Sequence, residues 1–439
     1  MAVMGQMLFG KEGHDDLVIR SARVLDPAEG IDALLDVRVD GGVISDIGLN
    51  VDVNGHRVVE GRGLVLAPGF VDPHVHLRTP GREDEETIAS GTASAAAGGF
   101  CAILAMPNTE PVVDSAAVLG SLIEAAQGEA EVPVGFLAAI TKGQQGQELT
   151  EMAELADAGA AGFSDDGRPV EAPGLMRRAL QYHAVTARRV AVHCEELTLS
   201  RSGQMHEGPV SAELGFAGYP SVAESVMVGR DLALAAYERQ PLHLLHLSAR
   251  ESVDELRRAR EAGVQATGEA TPHHLVLTDE AVMSLDPNLK MNPPLRSSDD
   301  RAALIAAVRD GTISMVATDH APHATHEKEV PFEEAPFGVT GLETAFAALN
   351  THLVRPGLLT LPTLVERMST GPARAYGLNP PRIAKGAPAN LVLLDPEAAW
   401  RVGEGGFRSR SANSWLLGET LRGRVRLTVA AGRIAYEGA

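Results

Sequence analysis

Between Val71 and Asp319 short apolar runs alternate with longer stretches of helical period. Eight runs read as buried parallel strands: VDPHVHL, FCAILAM, VPVGFLAAI, AAGFS, RVAVH, LHLLHLS, VQATGEA and ISMVATD. The segments between them read as helices, from EDEETIASGTASAAAG through VAESVMVGRDLALAAYERQ to SDDRAALIAAVRDG, with a last one near TGLETAFAALNTHLV. Caps sit where helix ends need them, with Ser298 before Asp299–Asp300 and Gly263 just after the helix that ends at Glu261. Eight alternating βα units predict a (β/α)8 TIM-type barrel. An open doubly wound sheet is the alternative, and neither a G-x-G-x-x-G nor a G-K-[ST] loop follows any strand to support it.

The flanks have a different texture. LVIRSARVLD, LLDVRVDGGVISDIG and GRGLVLAPG at the start, and ANLVLLDPEAAW and GRVRLTVAAGRIAYEG at the end, are β-branched runs cut by Gly and Asp turns. They predict one small β domain built from both ends, residues 16–68 and 378–439, around a barrel at 69–377, with 1–15 a loose tail. The chain carries 38 basic and 58 acidic side chains, a net charge of −20, which argues against a nucleic-acid partner. An anionic substrate then needs cations at specific positions. Two cysteines, Cys101 and Cys194, without C-x-x-C spacing, fit a reducing compartment and no thiolate metal site. With neither a signal-like amino terminus nor a bilayer-length apolar stretch, the expectation is a soluble cytoplasmic protein without a membrane partner.

The densest chemistry lies in Asp72-Pro73-His74-Val75-His76-Leu77-Arg78. Strand alternation puts His74, His76 and Arg78 on one face, so two imidazoles converge as a zinc-type ion requires. Further candidates end other strands: His193 after RVAV, His246 after LHLL, Asp319 after ISMVAT, and Asp165 and Asp166 after AAGFS. That is the rim where barrel active sites assemble. One metal uses three or four such ligands, and two metals sharing a bridging carboxylate use all of them. The planar fork of Arg78 suits a substrate carboxylate.

The motifs DPHVHLR, AMPNT, GFSDDG, AVHCEE, HLS, TPHHL, MNPPLR and ATDHAPH stand in this order over Asp72 to Gly338. In this the chain resembles the bacterial class I dihydroorotases of the metal-dependent amidohydrolase superfamily. The resemblance implies that His74, His76 and Asp319 hold one Zn2+, that His193 and His246 hold a second, and that Asp166 bridges, with Asp165 the alternative. One or two ions per subunit remain open. Many superfamily relatives place a carboxylated lysine at the bridge. The five lysines here, Lys11, Lys142, Lys290, Lys328 and Lys385, include none after the fourth strand, so a carboxylate bridges instead.

The implied reaction is the reversible cyclisation of N-carbamoyl-L-aspartate to (S)-dihydroorotate and water by a metal-activated hydroxide, with Asp319 as general acid and base. Substrate would be held by His76, Arg78, Asn108, Asn292 and His323, with the Phe337–Gly338 backbone against the ring amide. The long acidic segment Ala321 to Gly338 is expected to act as a lid. His273 and His274, adjacent on a strand, would face opposite ways. His183, His206, His243, His320 and His326 read as packing or surface residues. The resemblance also implies a homodimer and leaves room for association with an aspartate carbamoyltransferase. The competing readings are a hydantoinase or allantoinase-type cyclic amidase, and a catalytically silent scaffold for that transferase.

Overall fold

The computed structural model describes residues 7–438. All eight predicted strands form, as Phe70–Val75, Phe100–Ala105, Val134–Ala138, Gly162–Ser164, Arg189–Val192, Leu242–Leu244, Ala266–Ala270 and Met315–Val316, paired in that order. Each pairing is parallel. Closure comes just past the strand ends, where Val75 bridges His320 and the His76 N–H donates to the His320 carbonyl at 2.9 Å. Below that seam the buried Asp72 carboxylate accepts from the backbone N–H groups of His74 (3.1 Å) and Thr318 (3.2 Å) and from the Thr318 hydroxyl (2.5 Å). First and last strands are thus tied by side chain as well as backbone.

Strand side chains divide between two cores. Leu104, Leu137, Ala161, Ala191 and Met315 fill the barrel interior with Met7 and Tyr376. Ile103, Phe163, Val190 and Leu244 meet the outer helices. Covered on both faces, such strands read as continuous apolar runs, which is why they are legible in sequence. The segment expected to be a loose tail is corrected where it is described: Met7 and Phe9 are buried, and Phe9 exchanges backbone hydrogen bonds with Val134 at 2.7 and 2.8 Å. Residues 1–6 lie outside the described residues.

Strands from both chain ends share a second sheet. Its order is Arg433–Glu437, Thr420–Ala430, Leu391–Arg401, Val65–Pro68, Leu17–Asp26, Ile31–Asp40, Val43–Gly48, with Arg57–Glu60 also on Leu17–Asp26. The join is antiparallel, Leu66 opposite Leu393. One face packs Leu17, Ile19, Val37, Leu391 and Leu427 together.

Local departures have local causes. The helix Ser298–Asp310 is capped by Ser297, whose hydroxyl accepts from Asp300 N, so the cap lies one residue before the expected Ser298. Gly263 follows its helix at φ +87°, a conformation glycine takes without strain. TGLETAFAALNTHLV is shorter than expected, a helix over Ala345–Leu349 running into a wider turn over Asn350–Val354. His273 and His274 lie on a helical turn, Pro272–Val276, instead of a strand. Among the described residues no helix is long and apolar enough to cross a membrane.

Candidate metal centre and active site

The strand ends bring the predicted ligands together. Asp166 Oδ2 lies 3.6 Å from both His74 Nε2 and His76 Nε2, while its Oδ1 lies 3.5 Å from both His193 Nδ1 and His246 Nε2. One carboxylate therefore faces a histidine pair with each oxygen. Asp319 Oδ1 completes the first group, 3.3 Å from His74 Nε2 and 3.1 Å from His76 Nε2. All six side chains are buried. Asp165 faces elsewhere, its carboxylate accepting from the N–H groups of Ile140 (2.7 Å) and Thr141 (3.1 Å) and from the Thr141 hydroxyl, and it stays outside the cluster.

Partners behind the rings decide which nitrogens face inward. His74 Nδ1 donates to Glu269 Oε1 at 2.6 Å, His76 Nδ1 to Asn108 Oδ1 at 2.9 Å, and His193 Nε2 to Glu195 Oε2 at 3.1 Å. The remaining nitrogens of these rings point at carboxylate oxygens, an arrangement that calls for a proton or a metal cation between them. His74 Nε2 and Asp166 Oδ1 are buried without a hydrogen-bond partner. Burial opposes charge on His74, yet Asp319, Asp166 and Glu269 push its pKa well above the ordinary value. His193, likewise opposed by burial, is pushed up to about 10 by Asp166 and Glu195. The pocket calls for positive charge. Its oxygen and imidazole donors, in the groups His74–His76–Asp319 and His74–Asp166–His246, suit a divalent ion.

Sequence reading overlooked Glu269 and Glu195 and misjudged His243. Glu269 sits on the seventh strand, held down to about 2 against its burial by His74 and His243. His243, read as packing, donates to Glu269 Oε2 at 2.9 Å and so belongs to the support of His74. Alternation turns both His243 and Glu269 inward, on strands paired at His243–Thr267, but gives no sign that Glu269 backs His74. Glu195 follows His193 by two residues, the same spacing as His74–His76.

The substrate-binding candidates are only partly assembled by strand geometry. The first strand ends at Val75, and Arg78 sits at φ +58°, so a left-handed turn brings it to the site and alternation does not. His246 (φ +26°) and Asp319 (φ +49°) are also left-handed, and such non-glycine conformations concentrate where function over-determines the backbone. Arg78 Nε contacts Glu85 Oε2 (2.9 Å) and Pro322 O (3.1 Å), and its Nη2 lies 3.4 Å from His323 Nε2. Asn292 donates to Glu195 at 3.0 Å, and its own Oδ1 is buried without a partner. The expected role of Gly338 toward a ring amide meets a difficulty, since its N–H donates to Lys290 O at 2.9 Å. The Phe337 carbonyl lies 2.8 Å from His323 Nε2. Cys194 is buried, its thiol pushed up by burial and by Asp231 and Glu224.

Comparison with known proteins gives the family and the fold. A family model described as Dihydro-orotase-like matches residues 63–252. Proteins named Dihydroorotase from Geobacter metallireducens (43% identical over 423 residues, 96% of this chain and 100% of that one) and Caldanaerobacter subterraneus subsp. tengcongensis (44% over 421 residues, 96% and 97%) are similar over nearly their whole length. Among solved structures, an L-hydantoinase (dihydropyrimidinase) from Arthrobacter aurescens superposes with TM-score 0.87 at 25% identity, covering 97% of this chain and 96% of its own. A dihydropyrimidinase from Brevibacillus agri, with TM-score 0.83 and 24% identity over 95% and 94%, shares the fold. Near-complete coverage at that identity, joined to the histidine and aspartate cluster at the strand ends, places the chain in the dihydroorotase family.

Proposed function

We propose that the protein is a dihydroorotase, interconverting N-carbamoyl-L-aspartate and (S)-dihydroorotate through two divalent ions. His74, His76 and Asp319 would hold one ion, His193 and His246 the other, and Asp166 both. The observation that carries this is the division of Asp166, one oxygen toward each histidine pair. Charge supports bound cations: Asp166, Asp319, Glu195 and Glu269 are four buried carboxylates around the histidines. Zinc suits the donor set, and the free, buried cysteines accord with a cytoplasmic setting.

Bound ions supply Lewis-acid polarisation of the amide carbonyl and activation of water near neutral pH. Asp319, inside the cluster, takes the proton of the attacking water and delivers it to the ring nitrogen as the C–N bond breaks and its electron pair passes to nitrogen. In ring closure Asp319 accepts that nitrogen's proton and passes it to the departing carboxylate oxygen, which leaves as water after taking a second proton from solvent. Arg78 and His323 receive the carboxylate that dihydroorotate carries, and Asn292 Oδ1, buried and unpartnered, accepts from a ring N–H. A neutral cyclic amide such as hydantoin has no group for Arg78.

Ring opening of dihydroorotate, hydantoin and allantoin, measured as isolated, after chelation and after zinc is restored, tests this. Chelator-sensitive turnover of dihydroorotate alone is expected. Preference for hydantoin or allantoin overturns the substrate assignment, and turnover indifferent to chelation with metal removed overturns the metal assignment.

A further inference from the structure

Glu85 lies in the loop after the first strand, within the acidic run Glu83-Asp84-Glu85-Glu86 ahead of the helix Ile88–Ala97, a composition usual for solvent-facing positions. Its side chain is instead only 2% exposed. Oε2 takes Arg78 Nε at 2.9 Å. Oε1 takes Arg82 Nη2 at 2.8 Å and accepts from His323 Nδ1 at 3.2 Å. The loop is pinned to its surroundings, since the Ser411 hydroxyl donates to the Glu85 carbonyl at 2.7 Å. Arg82 also reaches Glu327 Oε1 at 2.8 Å, which ties the far side of the network to the segment that carries His323. Glu85, His323 and Glu327 have the composition of a cation site, but Arg78 and Arg82 already occupy the two carboxylates.

We infer that Glu85 is the positioning residue that sets specificity for a carboxylate-bearing substrate, by holding Arg78 and His323 in one fixed arrangement. The inference rests on the proposed role of Arg78 and His323. A guanidinium on a flexible stem has many rotamers, and a buried carboxylate 2.9 Å from Nε, beside the Pro322 carbonyl that accepts the Nε–H, selects one, leaving the terminal nitrogens for a ligand. The contact at Nδ1 holds the plane and position of the His323 ring. Glu85 touches no reacting atom and no member of the metal cluster.

The test compares Glu85→Gln, Glu85→Asp and Arg78→Met in the full-length, metal-loaded protein. Metal content and thermal unfolding serve as fold controls. KM and kcat are measured for dihydroorotate, together with inhibition by orotate, which has the carboxylate, and by uracil, which lacks it. For Glu85→Gln, KM for dihydroorotate and Ki for orotate rise about tenfold, as when a charge-assisted bond becomes a neutral one. In the same variant kcat stays within about threefold and uracil inhibition does not change. Glu85→Asp, which keeps the charge and supports the fold if the glutamine variant does not, recovers part of the orotate affinity. If Arg78→Met weakens orotate selectively and neither Glu85 variant does, the inference is overturned. If Arg78→Met leaves the orotate-to-uracil ratio unchanged, the role of Arg78 itself fails and the inference falls with it.

Discussion

Replacing Glu269 with glutamine isolates the effect of a charge behind His74, a ring of the proposed metal site. Oε1 accepts from His74 Nδ1 at 2.6 Å and from the His246 backbone N–H at 3.1 Å, and Oε2 accepts from His243 Nε2 at 2.9 Å. A glutamine with its carbonyl at the Oε1 position keeps the first two bonds. Its amide NH2 then meets His243 Nε2, which gives up its proton and moves it to Nδ1, 2.9 Å from the Thr267 hydroxyl. Shape and tautomer of His74 survive, and only the charge is lost. A hydrogen bond to a charged group contributes about 1.5–3 kcal/mol and a neutral one about 0.5–1.5, so the His74 bond weakens by about 1–1.5 kcal/mol. That corresponds to about a tenfold loss of zinc affinity, the lower end of what groups behind metal ligands typically contribute. Glu269→Leu removes the acceptor altogether and leaves the His74 N–H buried and unpaired, for roughly a further 1–3 kcal/mol. Competition against a chromogenic chelator gives the dissociation constants, and melting of the metal-free proteins shows whether each variant is folded. A folded Glu269→Gln protein that binds zinc within twofold of the native chain would refute this reasoning, because the ring would then be indifferent to the carboxylate behind it.

The adjacent acids are separable: Asp166→Asn loses metal and lowers kcat by about a thousandfold, as expected for loss of the metal-held catalyst, whereas Asp165→Asn keeps its metal, and equal metal loss in both refutes the assignment. Burial raises Asp165 from 3.8 to about 6 against its hydrogen bonds from Thr141 and Ile140, so the folded chain binds that proton more tightly than the unfolded one. Its contribution to stability therefore falls as pH rises from about 4 to about 6, and denaturant midpoints in Asp165→Asn lose that slope. Lys328 has the opposite sign, since burial and then Lys290 lower it from 10.5 to about 7. Between those values the unfolded chain binds more protons, stability rises with pH, and Lys328→Met flattens the rise seen in urea midpoints at pH 7 and pH 9; an unaltered slope counts against it.

What could be read in the sequence follows from how each feature is encoded. Barrel strands buried on both faces write themselves as apolar runs, and a histidine or aspartate closing such a run marks the catalytic rim, so His74, His76, His193, His246 and Asp319 were visible one by one. Glu269, Glu195 and Glu85 were not, because a buried carboxylate looks like any surface acid until its partner is known. The partner of Glu269 is 195 residues away. Backbone reversals were equally hidden: Arg78 reaches the site by a left-handed turn that strand alternation cannot express. The short paired strands Met205–His206 and Gly218–Tyr219, after the fifth barrel strand, are too brief to leave a periodic trace.

The sheet shared by the two chain ends also imposes an order of events. Strand Val65–Pro68 finds its parallel neighbour Leu17–Asp26 within about fifty residues of chain, but its other edge waits for Leu391–Leu394, 327 residues after Leu66 in the pair Leu66–Leu393. While the ribosome makes everything between, that edge stays unpaired, and an open edge is a template for other chains. Contacts of such sequence separation are slow to form. During synthesis this seam is where a nascent chain is most open to mispairing, and the strand Leu391–Arg401 serves as the clasp that ends the exposure.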